Sequence, residues 1–189
     1  EKEGIIWVTL DPKSNLSIED YLSGYDKMLS HFGLESWHVF QTRSVNGPNW
    51  KVAYDGYLDL YHLPVLHKDT FGDSFSNQAN YYEWGPHQRA ISPYRLPEQN
   101  DFNNDGKDHY ENAVDDWPLD VLMAGVWTIF PHVSIASFNG GGRSIMLSQL
   151  LPGDKPEESV TNQFYLMEKE PNEEQAKEAH KQFDLLKYV

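Results

Sequence analysis

The sequence predicts an α+β domain built on an antiparallel sheet. Three observations point there. Segments rich in β-branched and alternating apolar residues lie near both ends of the chain. Segments of helical periodicity lie between them and close the chain. The 189 residues are 39% hydrophobic and 14% aromatic, enough to bury a sizeable core. Strands before and after, with helices between, read as α+β.

Ile5 to Leu10 is β-branched and apolar, bounded by Gly4 and Asp11-Pro12, and reads as a strand. Ser17 is placed to cap a following helix, with Asp20 three residues on. Tyr21, Leu22, Tyr25, Met28, Leu29 and Phe32 give that helix an apolar face, and Gly33 stops it. Trp37 to Val45 alternates partly and ends at the turn signal Asn46-Gly47-Pro48. A helix from Asn49 follows. Tyr81 to Trp84 and Gln88 to Ser92 read as short strands, Arg95 to Asp116 as a polar loop, and Trp117 to Met123 as a short helix. Gly125 to Phe138 reads as strand broken at Pro131. Gly140-Gly141-Gly142 lacks the Lys and Ser/Thr of a phosphate loop and reads as a hairpin connection. Ser144 to Leu151 and Thr161 to Met167 pair around the Pro152 to Pro156 turn. The last element is a helix capped by Asn172 and Gln175, with Ala176, Ala179, Phe183 and Leu186 as its apolar stripe. No stop signal precedes Val189, so the chain is expected to end inside this helix.

The stretch NWKVAYDGYLDLYHLPVLH, from Asn49 to His67, carries the chemistry. On a helix Asp55, Asp59 and His62 have i, i+4, i+7 spacing and share one face. Tyr54, Tyr57, Leu58, Leu60 and Tyr61 fill the others. Pro64 is expected to kink or end the helix. Unbroken, His62 and His67 would sit about 140° apart, too splayed for one ion. A break lets the second imidazole swing to the first. Two neutral imidazoles and a carboxylate with open positions are the ligand set of non-haem Fe(II) oxygenases. Asp59, three residues before His62, is placed to orient that imidazole. The plain alternative is the wet face of a surface helix.

Composition excludes several functions. The net charge of −14, from 29 acidic and 15 basic residues, argues against nucleic acid and against an anionic membrane surface. No apolar run spans a membrane and no signal peptide is visible, so a cytoplasmic protein is expected. The chain begins at Glu1 without methionine and is read as starting at a domain boundary. There is no cysteine. Disulfides are excluded, and so is a Rieske [2Fe–2S] centre held by this chain, which needs two Cys and two His.

The Asn49–His67 stretch resembles the iron-binding motif of Rieske-type ring-hydroxylating oxygenase α subunits. That family has NWK and then N/D-x-x-x-D-x-x-H-x-x-x-x-H. Here Asn49-Trp50-Lys51 precedes Asp55, Asp59, His62 and His67 at matching spacing. GIIWVTLDP, Gly4 to Pro12, resembles the strand that follows the Rieske domain, and FPH, Phe130 to His132, the family's FPN segment. The resemblance covers essentially the whole chain as one catalytic domain, 1–189, truncated at both ends. It implies a twisted antiparallel sheet gripping a long C-terminal helix, similar to START-type domains. It implies Fe(II) on His62, His67 and an Asp beyond Val189, with Asp55 and Asp59 as the catalytic carboxylates. Electrons would come from a Rieske cluster, commonly on a neighbouring subunit of a homotrimer, through Asp59, supplied by a reductase or ferredoxin. O2 and a small organic substrate, expected to be aromatic, would meet at the iron in dioxygenation, monooxygenation or oxidative demethylation.

Other constellations compete. Asp184, four residues after His180, is the in-chain fallback for a third ligand; a surface i,i+4 pair is the plain reading. Tyr57, Met123, Trp127, Phe130 and His132 are candidates for lining a substrate pocket, with core packing as the alternative for the later four. Asp101, Asn103, Asp105 and Gly106 match half a calcium loop, but Asn112 stands where the closing Glu belongs. His31, His38, His87 and His109 receive no role. Two rival functions remain: a metal-free START-like binding module, and a zinc hydrolase using His62, His67 and a carboxylate.

Overall fold

The computed structural model of the chain describes residues 1–71, 79–91, 116 and 124–188. Among them, β1 (His38–Gly47), β2 (Asn80–Trp84), β3 (His87–Ile91), β4 (Val126–Ile129), β5 (Val133–Phe138), β6 (Ser144–Pro152) and β7 (Ser159–Met167) form one seven-stranded sheet of order β1-β7-β6-β5-β4-β3-β2. Every pairing is antiparallel. The chain therefore runs as a meander from β2 to β7, and β1 closes onto β7. The antiparallel α+β expectation holds.

Alternation along the strands sends two different layers to the two faces. Trp127, Ile129, Ile135 and Ile145 face α1 (Ile18–Leu22) and α2 (Tyr25–Ser30), whose Leu22 and Leu29 are fully buried against them. Met146, Tyr165 and Met167 face the opposite way, onto Ala179 and Phe183 of α6 (Glu173–Leu185). Burying Phe183 contributes about 2 kcal/mol. The same face carries α3 (Trp50–Leu58), which crosses β4 to β7 and is followed by the one-turn helices α4 (Leu63–Leu66) and α5 (Lys68–Phe71). Helix α6 begins with the expected capping box: Asn172 accepts from Glu174 and Gln175, and Gln175 reaches back to the Asn172 amide. The β5–β6 turn tucks beneath α6. Gly141 has φ +78° there, and an added Cβ would run into the Gln175 carbonyl, so the turn requires glycine.

Two local expectations are corrected. Ile5 to Leu10 is not a strand: only Lys2 and Ile5 form a bridge. Ile5 and Trp7 pack on the core, while Ile6, Val8 and Leu10 stay exposed. Strand propensity without a pairing edge does not make a strand. The helix expected between Ser17 and Gly33 is two short ones. Ser17 Oγ accepts from the Asp20 amide as expected, but Ser23 (φ 52°) and Gly24 (φ 89°) turn left-handed and split the helix. The loop 95–115 and the helix expected over Trp117 to Met123 lie outside the described residues.

Candidate metal centre

Helix α3 starts at Asn49, whose side chain accepts from the Lys51 amide at 2.9 Å and donates to the Pro156 carbonyl. The helix was expected to run to Pro64. It ends at Leu58 instead, and Asp59 is extended (φ −106°, ψ 106°). The Asp59 carboxylate accepts from the Tyr61 amide at 3.0 Å. Such an Asx turn offers the backbone an alternative to another helical turn. Pro64 then lies in the first turn of α4 (Leu63–Leu66), where a missing N–H costs nothing. It starts a helix rather than ending one. Asp55, Asp59 and His62 therefore do not share one helical stripe, and Asp55 is exposed on α3.

The one-turn α4 holds His62 before its first residue and His67 just after its last. His67 leaves helical geometry (φ −107°, ψ 22°), and the two imidazoles meet edge to face with centroids 5.2 Å apart. Two imidazoles bound side by side to one ion, at metal–nitrogen distances near 2 Å, have centroids about 5 Å apart. His62 Nδ1 lies 3.7 Å from Asp59 Oδ2, which leaves Nε2 as the atom turned away from the carboxylate. Burial pushes the His67 pKa down, and the charge of His62 pushes it the same way. A neutral imidazole is the form that ligates a metal. These residues fit two positions of a metal centre. Among the described residues no group of three or more His, Cys, Asp or Glu comes together as a metal site, so Asp184 does not complete the pair. Asp184 acts on Arg43 instead, and His180 bonds Gln41 at 2.9 Å and packs on Phe40.

Along α3 runs a cleft of about 410 Å³, walled by Trp50, Tyr54, Leu58, Phe130 and Pro131, with Lys51, Asp55 and Gln88 as its polar members. Its end at Leu58 adjoins Asp59 in the chain. Phe130 is 48% exposed in this wall, not part of the core. His132 follows it in the β4–β5 turn rather than in a core strand. Trp127 is corrected as a pocket residue: it is fully buried on the opposite face of the sheet, against Tyr25, Phe32 and Trp84. Tyr57 is not in the cleft wall and lies within electrostatic reach of Arg43. Met123 and the half calcium loop, Asp101 to Gly106, lie outside the described residues.

His87, given no role from sequence, fastens the cleft from behind. It is fully buried: Nε2 lies 2.8 Å from the Tyr21 carbonyl, and Nδ1 accepts from the Phe130 amide at 3.2 Å. With one nitrogen donating and the other accepting, the ring is neutral. Burial, the larger effect, lowers its pKa, against the Tyr21 bond that raises it. The unfolded chain takes up the proton near pH 6.5 and the folded chain at lower pH, so stability is full above about 6.5 and declines as pH falls below it. Urea midpoints between pH 8 and 5 should drop below about 6.5. The drop should shrink in His87→Gln, and an identical profile in that variant would contradict the assignment.

Residues 34–187 match the family of ring-hydroxylating α subunits, catalytic domain. The chain belongs to this family. Among curated protein sequences none matches. Solved structures of a quaternary ammonium Rieske monooxygenase, CntA, share its fold. One with an inhibitor has 16% identity and TM-score 0.68, covering 97% of this chain and 45% of that chain. Another, described for carnitine oxidation and inter-subunit electron transfer, has 15% identity and TM-score 0.64, covering 100% and 46%. A third, with L-carnitine, has 14% identity and TM-score 0.67, covering 97% and 44%. This chain thus spans less than half the length of those proteins. The match makes this chain a catalytic domain of the ring-hydroxylating α-subunit type. No helix among the described residues is long and apolar enough to cross a membrane.

Proposed function

We propose that this chain is the catalytic portion of a Rieske-type oxygenase in which His62 and His67 hold a mononuclear Fe(II) and the α3 cleft admits a small organic substrate. One observation carries the reading: the two imidazoles converge, with Asp59 beside one of them, within the segment that bears the family's motif. Bound iron would supply the binding and reductive activation of O2 for hydroxylation or oxidative demethylation. The protein's own part is positional. Asp59 orients the His62 ring through Nδ1, burial keeps the His67 ring neutral, and the aromatic wall of Trp50, Tyr54 and Phe130 orients the apolar body of a substrate, aromatic by the family's implication. The third ligand is a carboxylate outside the described residues of this chain, and electrons arrive from a Rieske domain of a neighbouring subunit, served by a reductase or ferredoxin. A metal-free binding module would need no convergence of imidazoles.

Asp59→Asn, made in the enzyme assembled with its Rieske domain, is expected to keep its iron and to lose turnover by about 10- to 100-fold. Iron content by absorption spectrometry and coupled O2 consumption check this. Undiminished turnover would remove Asp59 from the proposed role.

A further inference from the structure

The face of the sheet beneath α3 carries a row of directly paired polar residues. Gln88 pairs with Thr128, Thr128 with Ser134, Ser134 with Ser148, Ser148 with Gln163 and Gln163 with Arg43. The opposite face of these strands fully buries Trp127, Ile135 and Ile145, together with His87 and Arg89 of β3. A layer that served packing alone would be apolar on both covered faces. The ends of the row are paired, apart from Arg43 Nη2, which is buried without a partner among the described residues. Thr128 donates to the Gln88 carbonyl at 3.2 Å, and Arg43 Nε donates to Gln163 Oε1 at 2.6 Å. The middle is not. Ser134 is 0% and Ser148 1% exposed, and neither hydroxyl has a hydrogen-bond partner among the described residues. His132, in the β4–β5 turn two positions before Ser134, has a buried Nδ1 that is also without a partner among the described residues. Each such group left unsatisfied costs about 1–3 kcal/mol.

This cluster adjoins the cleft. His132 follows the cleft residues Phe130 and Pro131, and Gln88, which begins the row, is a wall residue. Tyr54, another wall residue, lies on α3, which packs across β4 to β7 over this row. We propose that His132, Ser134 and Ser148 form a receptor for a neutral hydrogen-bonding group, a hydroxyl or carboxamide, of a small molecule entering from the cleft. The proposal takes from the preceding section only that this cleft admits the substrate. It assigns specificity: the substrate carries a polar handle and is not a bare hydrocarbon. Hydroxyls donate and accept, and burial lowers the His132 pKa and keeps that ring neutral, so the cluster suits an uncharged partner. A site built around hydrogen bonds rejects the isostere that lacks them, because its own groups are then left unpaired.

The test uses benzyl alcohol and ethylbenzene, which differ by a hydroxyl in place of a methyl. Both are titrated into the metal-free chain and followed by amide NMR shifts, so failure of the iron reading does not affect the result. The expected result is binding of benzyl alcohol at least about tenfold tighter than ethylbenzene, the worth of one good hydrogen bond. Its shifts should centre on residues 130–136 and 146–150. Ser134→Ala with Ser148→Ala should erase the preference while the protein stays folded by thermal melting. Single variants serve as the fallback if the double variant does not fold. Equal affinity for the two probes, no binding of either, or a preference that survives the alanines would overturn the proposal. In the last case buried water alone serves the two hydroxyls.

Discussion

Trp127→Ala is expected to lower the unfolding free energy by about 3–5 kcal/mol, the cost of emptying a large aromatic site in a close-packed core. Trp127 is fully buried and has ring contacts with Tyr25 at 5.4 Å, Trp84 at 5.6 Å and Phe32 at 5.8 Å between centroids. The Arg89 guanidinium lies 5.0 Å from its ring centroid. The indole thus joins α2 to β2, β3 and β4. Denaturant unfolding measures the loss directly. A loss below about 1 kcal/mol, with ligand binding impaired, would return Trp127 to the pocket-lining role weighed from the sequence.

The elements legible in the sequence are those whose signals are local. The capping box of α6, the alternation of β6 and β7, and the Asn46-Gly47-Pro48 stop of β1 are complete within a few residues, and the structure follows them closely. Helix periodicity over Tyr21 to Phe32 was real, but it did not show the left-handed turn at Ser23 and Gly24. The end of α3 was misplaced because Pro64 is a strong breaker in any interior, whereas the Asx turn of Asp59 is a weaker signal that only context decides. Ile5 to Leu10 has strand composition, but pairing is a property of the partner.

In the candidate site, the motif supplied the four residues Asp55, Asp59, His62 and His67, and their roles rest on family resemblance. The approach of the two rings could not be read from spacing, since it depends on a single helical turn between them. His87 was invisible because both of its partners, Tyr21 and Phe130, are distant in sequence. The unpartnered hydroxyls of Ser134 and Ser148 emerge only when strand register sets them side by side.

His62 and His67 are expected to bind one metal ion together. Complete structural metal sites with four ligands release about 10–16 kcal/mol, roughly 3 kcal/mol per ligand, so removing one imidazole should weaken binding by about 100-fold or more. The measurement is anaerobic calorimetric titration of Fe(II) into the chain and into His67→Ala at pH 7.5. The account predicts one ion per chain, an affinity at least about 100-fold weaker in the variant, and the same loss in His62→Ala. Equal affinity in the chain and both variants would contradict it.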